Sequence, residues 1–361
     1  MCNWKDNYTF SNDNFHKTWY NFKEVRLILM KKLLMLTTGG TISSIESESG
    51  LVPSSADTIL KQMGIEQTHE FSLEVKEILL LDSSNIQPEE WNIIATAIYE
   101  NIHDYEGIIV THGTDTMAYS TSMVSFMVQN PSIPVVFTGS QLPIGNFLTD
   151  AITNLRSAFA MALSGVPGIF VAFDRKIILG TRAVKVRTTS FNAFESINLK
   201  YAGTVDSNGL SLNSYVIPTY SEETKFNNKI NSDVFLLKLT PATNPNIIDL
   251  LINSKVSGIV IEAFGAGGIQ FVRRDFIEKL HNAYKHGIPV VVCSQCLYES
   301  SNFNIYQVGK KALSAGVIEA FDMTTEAAVT KLMWALGQTT NISEIKKIFE
   351  TNYAGEIRFN N

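Results

Sequence analysis

Runs of Val, Ile and Leu that do not alternate strictly with polar residues recur along this chain, separated by stretches with helical periodicity. Strands apolar on both sides must be covered on both faces, the condition of a parallel sheet in an α/β fold. The pattern predicts strands over 32–38, 73–81, 107–112, 134–138, 168–173, 234–239, 257–262 and 288–293. Helices are predicted near 55–63, 88–102, 117–129, 150–163, 245–253, 273–286, 308–315, 324–336 and 342–350. The fold class that follows is α/β.

The rhythm breaks once, between about 206 and 232, where Asn208-Gly209, Pro218 and a polar run from Ser221 to Lys229 interrupt it. A chain of 361 residues has room for two domains. The expected division is an N-terminal domain over 30–212, a linker over 213–232 and a C-terminal domain over 233–361. Residues 1–29 lack the basic start, apolar stretch and small-residue cleavage pattern of a secretory signal and read as an extension, with Met30 as a second plausible start.

Net charge of −6 provides no basic footprint for nucleic acid or an anionic membrane. No apolar run reaches the length of about eighteen residues that a membrane span needs. Three cysteines in so long a chain argue against a disulfide framework and fit a reducing compartment. Cys293 and Cys296 have half of a zinc or redox spacing, but no second Cys/His pair stands nearby. Structural thiols, or thiols neighbouring a ligand, are the expectation.

Chemistry concentrates where apolar runs end. Thr38-Gly39-Gly40-Thr41 and His112-Gly113-Thr114-Asp115-Thr116 each place a hydroxyl next to glycine just past a strand, the edge at which open α/β sheets bind ligands. Glycine lets the backbone turn sharply, so Thr41 is presented like a nucleophile, while Thr114 stands beside a carboxylate suited to an ammonium group. The same Gly-rich turn equally serves as a strand-to-helix connection capped by Thr41. Lys185, between Arg182 and Arg187, reads alone as a solvated cation, and His112 as a packed residue. Asp82-Ser83-Ser84 reads either as part of a site or as a cap for the helix starting near Pro88. Residues 42–56 are small and polar and read as an exposed loop, or as a lid given their place after Thr41.

Taken together, T-G-G-T-I at 38–42, D-S-S at 82–84, H-G-T-D-T-M at 112–117, T-G-S-Q-L-P at 138–143, G-T-R-A-V-K at 180–185 and D-M-T-T-E-A at 322–327 resemble the asparaginase/glutaminase family, and its cytoplasmic type I L-asparaginases in particular. The resemblance spans about 31 to 358. It implies a larger N-terminal domain with a mostly parallel sheet and helices on both faces, a smaller C-terminal α/β domain, and hydrolysis of L-asparagine to L-aspartate and ammonia through an acyl-enzyme. By resemblance, Thr41 is the nucleophile and Thr114, Asp115 and Lys185 form a second hydroxyl-carboxylate-lysine cluster. Asp115 would take the substrate ammonium, Ser83 and Ser84, with Asp82 beside them, its carboxylate, and Ser140 the leaving amide through its carbonyl. The resemblance further implies no metal or cofactor, a homodimer or homotetramer, and a cytoplasmic location. An archaeal amidotransferase subunit shares this core, but it carries an additional N-terminal domain that 29 weakly patterned residues are too few to build.

Two positions depart from the family pattern. Leu51 stands where family members often carry a lid tyrosine, which places more of the activation of Thr41 on Thr114 and Lys185. Glu262 precedes Ala263-Phe264-Gly265 where allosteric relatives have an effector-binding arginine, although Ser294-Gln295-Cys296 is retained.

Overall fold

The computed structural model describes residues 30–39, 42, 44–47, 50–53, 56–64, 71–303 and 307–358. In chain order the N-terminal elements are β1 (Lys31–Thr37), β2 (Ser44–Ser47), β3 (Gly50–Pro53), α1 (Ala56–Gln62), β4 (Phe71–Glu77), α2 (Pro88–Asn101), β5 (Gly107–Thr111), α3 (Met117–Met127), β6 (Val128–Gln129), β7 (Pro134–Thr138), α4 (Ala151–Ala162), β8 (Gly168–Phe173), β9 (Lys176–Leu179), β10 (Ala183–Lys185), β11 (Phe194–Ser196), β12 (Gly203–Asp206), β13 (Gly209–Leu212) and β14 (Lys225–Phe226). Then come β15 (Val234–Lys238), α5 (Asn246–Asn253), β16 (Gly258–Ala263), α6 (Phe276–Lys285), β17 (Val290–Ser294), α7 (Gln307–Ser314), β18 (Ile318–Glu319), α8 (Thr325–Gln338) and α9 (Ile342–Phe349).

The first sheet has the order β13-β12-β9-β8-β7-β5-β1-β4. From β4 to β8 all pairings are parallel, and β5, β7 and β8 are buried along their whole length, as their unbroken apolar runs require. Beyond β8 the sheet turns antiparallel through β9, β12 and β13. These short strands are absent from the expected list because turns at every few residues hide them. The region 42–56, expected as loop, instead pairs β2 with β3 as a hairpin, Glu46 opposite Leu51. Gly50 follows two polar residues and Val52 is β-branched, a hairpin signal that the polar composition masks.

Two apolar layers cover the large sheet. On one face α1 and α4 bury Ile59, Leu155 and Phe159 against Met35, Ile109 and Val136. On the other, α2 and α3 bury Trp91, Ile94 and Phe126 against Leu34, Val110 and Phe137, and this layer runs on through α8 into Val260 and Val291 of the second sheet. That second sheet is parallel, in the order β15-β16-β17-β18, with its remaining face covered by α5, α6 and α7. Helix α8 is therefore buried from both sides. Its start is set by Thr324, whose hydroxyl accepts from Ala327 N at 3.0 Å, and its Trp334 ring stacks 6.1 Å from Phe126 of α3.

Buried charges lock this junction. Lys331 of α8 and Glu356 are both wholly buried and 2.6 Å apart, with the ammonium also over the rings of Phe126, Phe349 and Tyr353. Arg182 is buried too, and its guanidinium meets the Asp322 carboxylate at 3.0 Å and the Gly355 carbonyl at 2.7 Å. Among the described residues, no helix is long and apolar enough to cross a membrane.

Candidate active site

Strands β1, β5 and β7 lie side by side and end at one level, with Thr37, Thr111 and Thr138 in register. Past β1, Thr38 donates from its backbone and its hydroxyl to Thr111 O, at 3.2 and 3.0 Å. Gly39 follows at φ +106°, and a Cβ there would stand 2.4 Å from Leu81 O, so only glycine brings β1 this close to the segment leading into Asp82-Ser83-Ser84. Gly40 and Thr41 lie outside the described residues, as do the side chain of Leu51 and all of residues 1–29 with Cys2.

Past β5, the chain is pinned to the same segment. A Cβ on Gly113 would meet Ser83 at 2.7 Å. The buried Ser83 accepts from Asp115 N at 3.3 Å, and Thr116, the residue before α3, donates its hydroxyl to Ser83 O at 2.7 Å rather than capping its own helix. Asp82 accepts from the backbone and hydroxyl of Ser84 at 2.8 and 2.6 Å, and these bonds hold its carboxyl below the usual range. It caps the short turn Ser83–Asn85; α2 has its own capping box, Gln87 with Glu90, so the alternative of Asp82 as cap of that helix falls.

Lys185 reaches the same point from β10. Its Nζ donates to Thr114 Oγ1 at 2.8 Å and to Asp115 Oδ1 at 2.6 Å. The lysine side chain is 16% exposed and that of Asp115 64%, so the cation is shielded while the carboxylate stays open to a further cation. The strand is held from both ends. Before it, the turn Gly180–Arg182 is gripped by Thr121 on Gly180 O and by the Arg182–Asp322 pair; beside it, β11 carries Glu195, which bonds Arg187 and the Tyr298 hydroxyl. The solvated-cation reading of Lys185 is thus replaced by an ordered ion pair.

Past β7, Ser140 Oγ is buried with no hydrogen-bond partner among the described residues, and the next residue, Gln141, accepts from Thr114 Oγ1 at 3.3 Å. His112 is packed, as expected. Its Nε2 faces Ser120 Oγ at 2.8 Å, its Nδ1 the Gly113 carbonyl at 2.6 Å, and Trp91 donates to the same serine at 3.1 Å. These roles are consistent only with the proton on Nδ1, and burial pushes the imidazole down to about 4, so it stays neutral.

The second cluster singled out by sequence is structural in its geometry. Gln295 donates to the carbonyls of Leu239 and Glu262 at 2.6 and 2.9 Å, and Ser294 to Gly265 O at 2.6 Å. Glu262 pairs with Lys238 at 3.2 Å and accepts from Thr325 at 2.8 Å. Burial pushes the Cys293 thiol up to about 12, which makes it unreactive, and Cys296 is exposed. Among the described residues no group of three or more His, Cys, Asp or Glu is arranged around a metal position.

The side chains that sequence reasoning passed over are those that hold the cluster. Arg182 lies three residues before Lys185 in G-T-R-A-V-K and Gln141 directly after Ser140 in T-G-S-Q-L-P, so the motifs themselves are the signal that points to both.

Residues 32–217 match the asparaginase N-terminal domain, and residues 233–349 the glutaminase/asparaginase C-terminal domain. The chain belongs to the asparaginase family. It is 45% identical to the L-asparaginase of Thermococcus kodakarensis over 90% of this chain and 99% of that one, and the solved structure of that enzyme superposes with a TM-score of 0.86 over 91% of this chain and 100% of that one. L-asparaginase I of Vibrio cholerae, 28% identical, superposes with a TM-score of 0.78 over 91% of this chain and all of that one. A glutamyl-tRNA(Gln) amidotransferase subunit of Methanosphaera stadtmanae is 36% identical over 91% of this chain and 77% of its own length. Within the asparaginase family, then, this chain resembles L-asparaginases and an amidotransferase subunit alike.

Proposed function

We propose that this protein hydrolyses the side-chain amide of L-asparagine, releasing L-aspartate and ammonia. The observation that carries the reading is the Lys185 ammonium bonded at once to Thr114 Oγ1 and Asp115 Oδ1, at the ends of strands from an asparaginase domain. A threonine hydroxyl is a poor nucleophile at neutral pH and needs a proton acceptor. A neutral lysine amine can serve as that acceptor, and Lys185 Nζ stands 2.8 Å from Thr114 Oγ1.

In the proposed sequence Thr41 Oγ attacks the amide carbon, its proton passing to the site base. The tetrahedral oxyanion collapses, the C–N bond breaks, and the leaving nitrogen takes the proton back from the site base and departs as ammonia. Water then cleaves the Thr41 ester with help from Thr114 and Lys185, regenerating the hydroxyl. Asp115 receives the substrate α-ammonium on its open side, Ser83 and Ser84 receive the α-carboxylate, and Ser140 faces the leaving amide. The carboxylate of a zwitterionic substrate is further favoured by its nearness to the N-terminus of α3. The cytoplasm is the proposed location, and a homodimer or homotetramer the proposed assembly.

Similarity to the amidotransferase protein favours one competing role, that of an ammonia source for a tRNA-linked partner. The purified chain, given asparagine or glutamine and no partner, separates the two. Stoichiometric ammonia and aspartate support the proposal, and no release from either amide overturns it. The kcat/KM ratio for the two amides fixes the preference, which a one-methylene difference limits to about 1–3 kcal/mol in most pockets.

A further inference from the structure

A hydroxyl has one proton to give and two lone pairs to offer. At Thr114 one lone pair is taken by Lys185 Nζ at 2.8 Å, and the proton points to Gln141 Oε1 at 3.3 Å. The orientation of that glutamine amide is not free. Its Nε2 faces two backbone carbonyls, Thr188 O at 3.0 Å and Ser190 O at 3.2 Å, which accept only from the nitrogen, so the oxygen must face Thr114.

The backbone of Gln141 is fixed as firmly. Its N–H lies 3.0 and 3.1 Å from the two oxygens of the buried Asp150 carboxylate, and Leu142 N lies 3.1 Å from one of them. Asn154 of α4 closes the arrangement by donating to Asp150 at 3.0 Å and to Gly139 O at 2.9 Å. Gln141 is thus a strut: anchored after β7, it touches the threonine that follows β5 and the loop that leaves Lys185 toward β11.

We propose that Gln141 is a positioning residue of the amide-hydrolysing site, a proposal that rests on the function argued above. Its carboxamide oxygen holds the Thr114 proton while Lys185 is an ammonium, and so keeps an oxygen lone pair of Thr114 aimed at Nζ. When Lys185 gives up its proton, the Thr114 proton turns from Gln141 to Nζ along a contact already formed. The covalent accounts are unchanged; only the hydroxyl rotates until the lysine accepts. Preorganisation of this kind acts on the chemical step rather than on substrate affinity.

The test uses Gln141→Met, similar in length but without the amide, and Gln141→Glu, which keeps an acceptor and adds a negative charge beside the lysine. Gln141→Met should lower kcat for asparagine by about ten- to a hundredfold, with KM within about twofold. In Gln141→Glu the lysine should keep its proton to higher pH, moving the acid limb of the kcat profile upward by about one pH unit. A merely structural role would not confine the loss to kcat, and the shift in Gln141→Glu checks that position 141 stands beside the lysine. The same shift is readable without turnover by NMR titration of the Lys185 side chain, with melting temperatures confirming that both variants fold. A normal kcat in Gln141→Met, a loss confined to KM, or a Lys185 titration unmoved in Gln141→Glu overturns the proposal. Wild-type protein that releases no ammonia overturns the hydrolase reading instead, and the NMR titration still decides the geometry of Gln141.

Discussion

Lys185 and Thr114 are 71 residues apart in the chain, yet Lys185 Nζ lies 2.8 Å from Thr114 Oγ1. The pairing depends on β10 being delivered to the C-terminal edge of the large sheet by the buried turn Gly180–Arg182, which the C-terminal half of the chain clamps through Asp322 and Gly355. Thr114→Val and Lys185→Met should each reduce kcat by about 10²- to 10⁴-fold, the range expected when proton transfer in a relay is lost. Melting temperatures close to wild type would show that the loss is chemical. Turnover within threefold of wild type in either variant removes that residue from the mechanism.

Asp115 has two tasks in this reading, pairing with Lys185 and receiving the substrate ammonium. Asp115→Asn should lower kcat/KM for asparagine by about a hundredfold or more, since a charge-assisted bond is lost. Succinamic acid, the same amide without the α-amino group, isolates the second task. If Asp115 reads the ammonium, the wild-type preference for asparagine over succinamic acid should collapse in the variant. An unchanged ratio would confine Asp115 to orienting the lysine.

Much of this was legible in the chain, for a physical reason. The parallel strands are buried on both faces, so β5, β7 and β8 appear as unbroken apolar runs. The hairpin β2–β3 and the antiparallel strands β12 and β13 were not legible, because strands of four residues with polar faces differ little from turns. At the site, residues whose types announce chemistry stood out: Thr114, Asp115 and Lys185. Gln141 and Arg182 did not, since their roles come from partners such as Thr188, Ser190 and Asp322 that no local spacing brings near. Lys331 is the clearest case. In sequence it is one more cation on a helix, and in the fold it is a wholly buried ion whose partner lies 25 residues away.

Breaking that buried pair strands a charge. Glu356→Ala should destabilise the protein by about 3–5 kcal/mol, as single removals from buried ion pairs do. It also deprives the Tyr353 and Ala354 backbone of their acceptor. The double variant Lys331→Met, Glu356→Gln should recover part of the loss, because no buried charge remains. Chemical denaturation of the three proteins measures this; a double variant less stable than Glu356→Ala would contradict it.

Glu262 bears on regulation. With its carboxylate held by Lys238 and Thr325, this position offers an anionic effector repulsion rather than a partner. Saturation by asparagine should therefore be hyperbolic, with a Hill coefficient near one. A coefficient well above one would mean that Ser294 and Cys296 build an effector site by other contacts.

The pH dependence of stability should carry two opposed signatures, one from each half of the chain. Burial holds His112 down at about 4 against an ordinary value of 6.5. Between those values the unfolded chain binds a proton that the native imidazole refuses, so stability falls as pH drops from 6.5 toward 4, by an amount on the order of 3 kcal/mol. At the half-buried Glu326, desolvation pushes the carboxyl up to about 7, with the like charge of Glu262 adding to it. There the native state keeps a proton that the unfolded chain has lost, so stability falls as pH rises from 4.5 through 7. Unfolding free energies of wild type, His112→Gln and Glu326→Gln between pH 4 and 8 separate the two. His112→Gln should flatten the acid side, and Glu326→Gln should gain relative stability toward pH 8. If His112→Gln keeps the wild-type slope between pH 6.5 and 4, the native imidazole takes up protons in that range, and the neutral network joining it to Ser120 and Trp91 is not the state that folds.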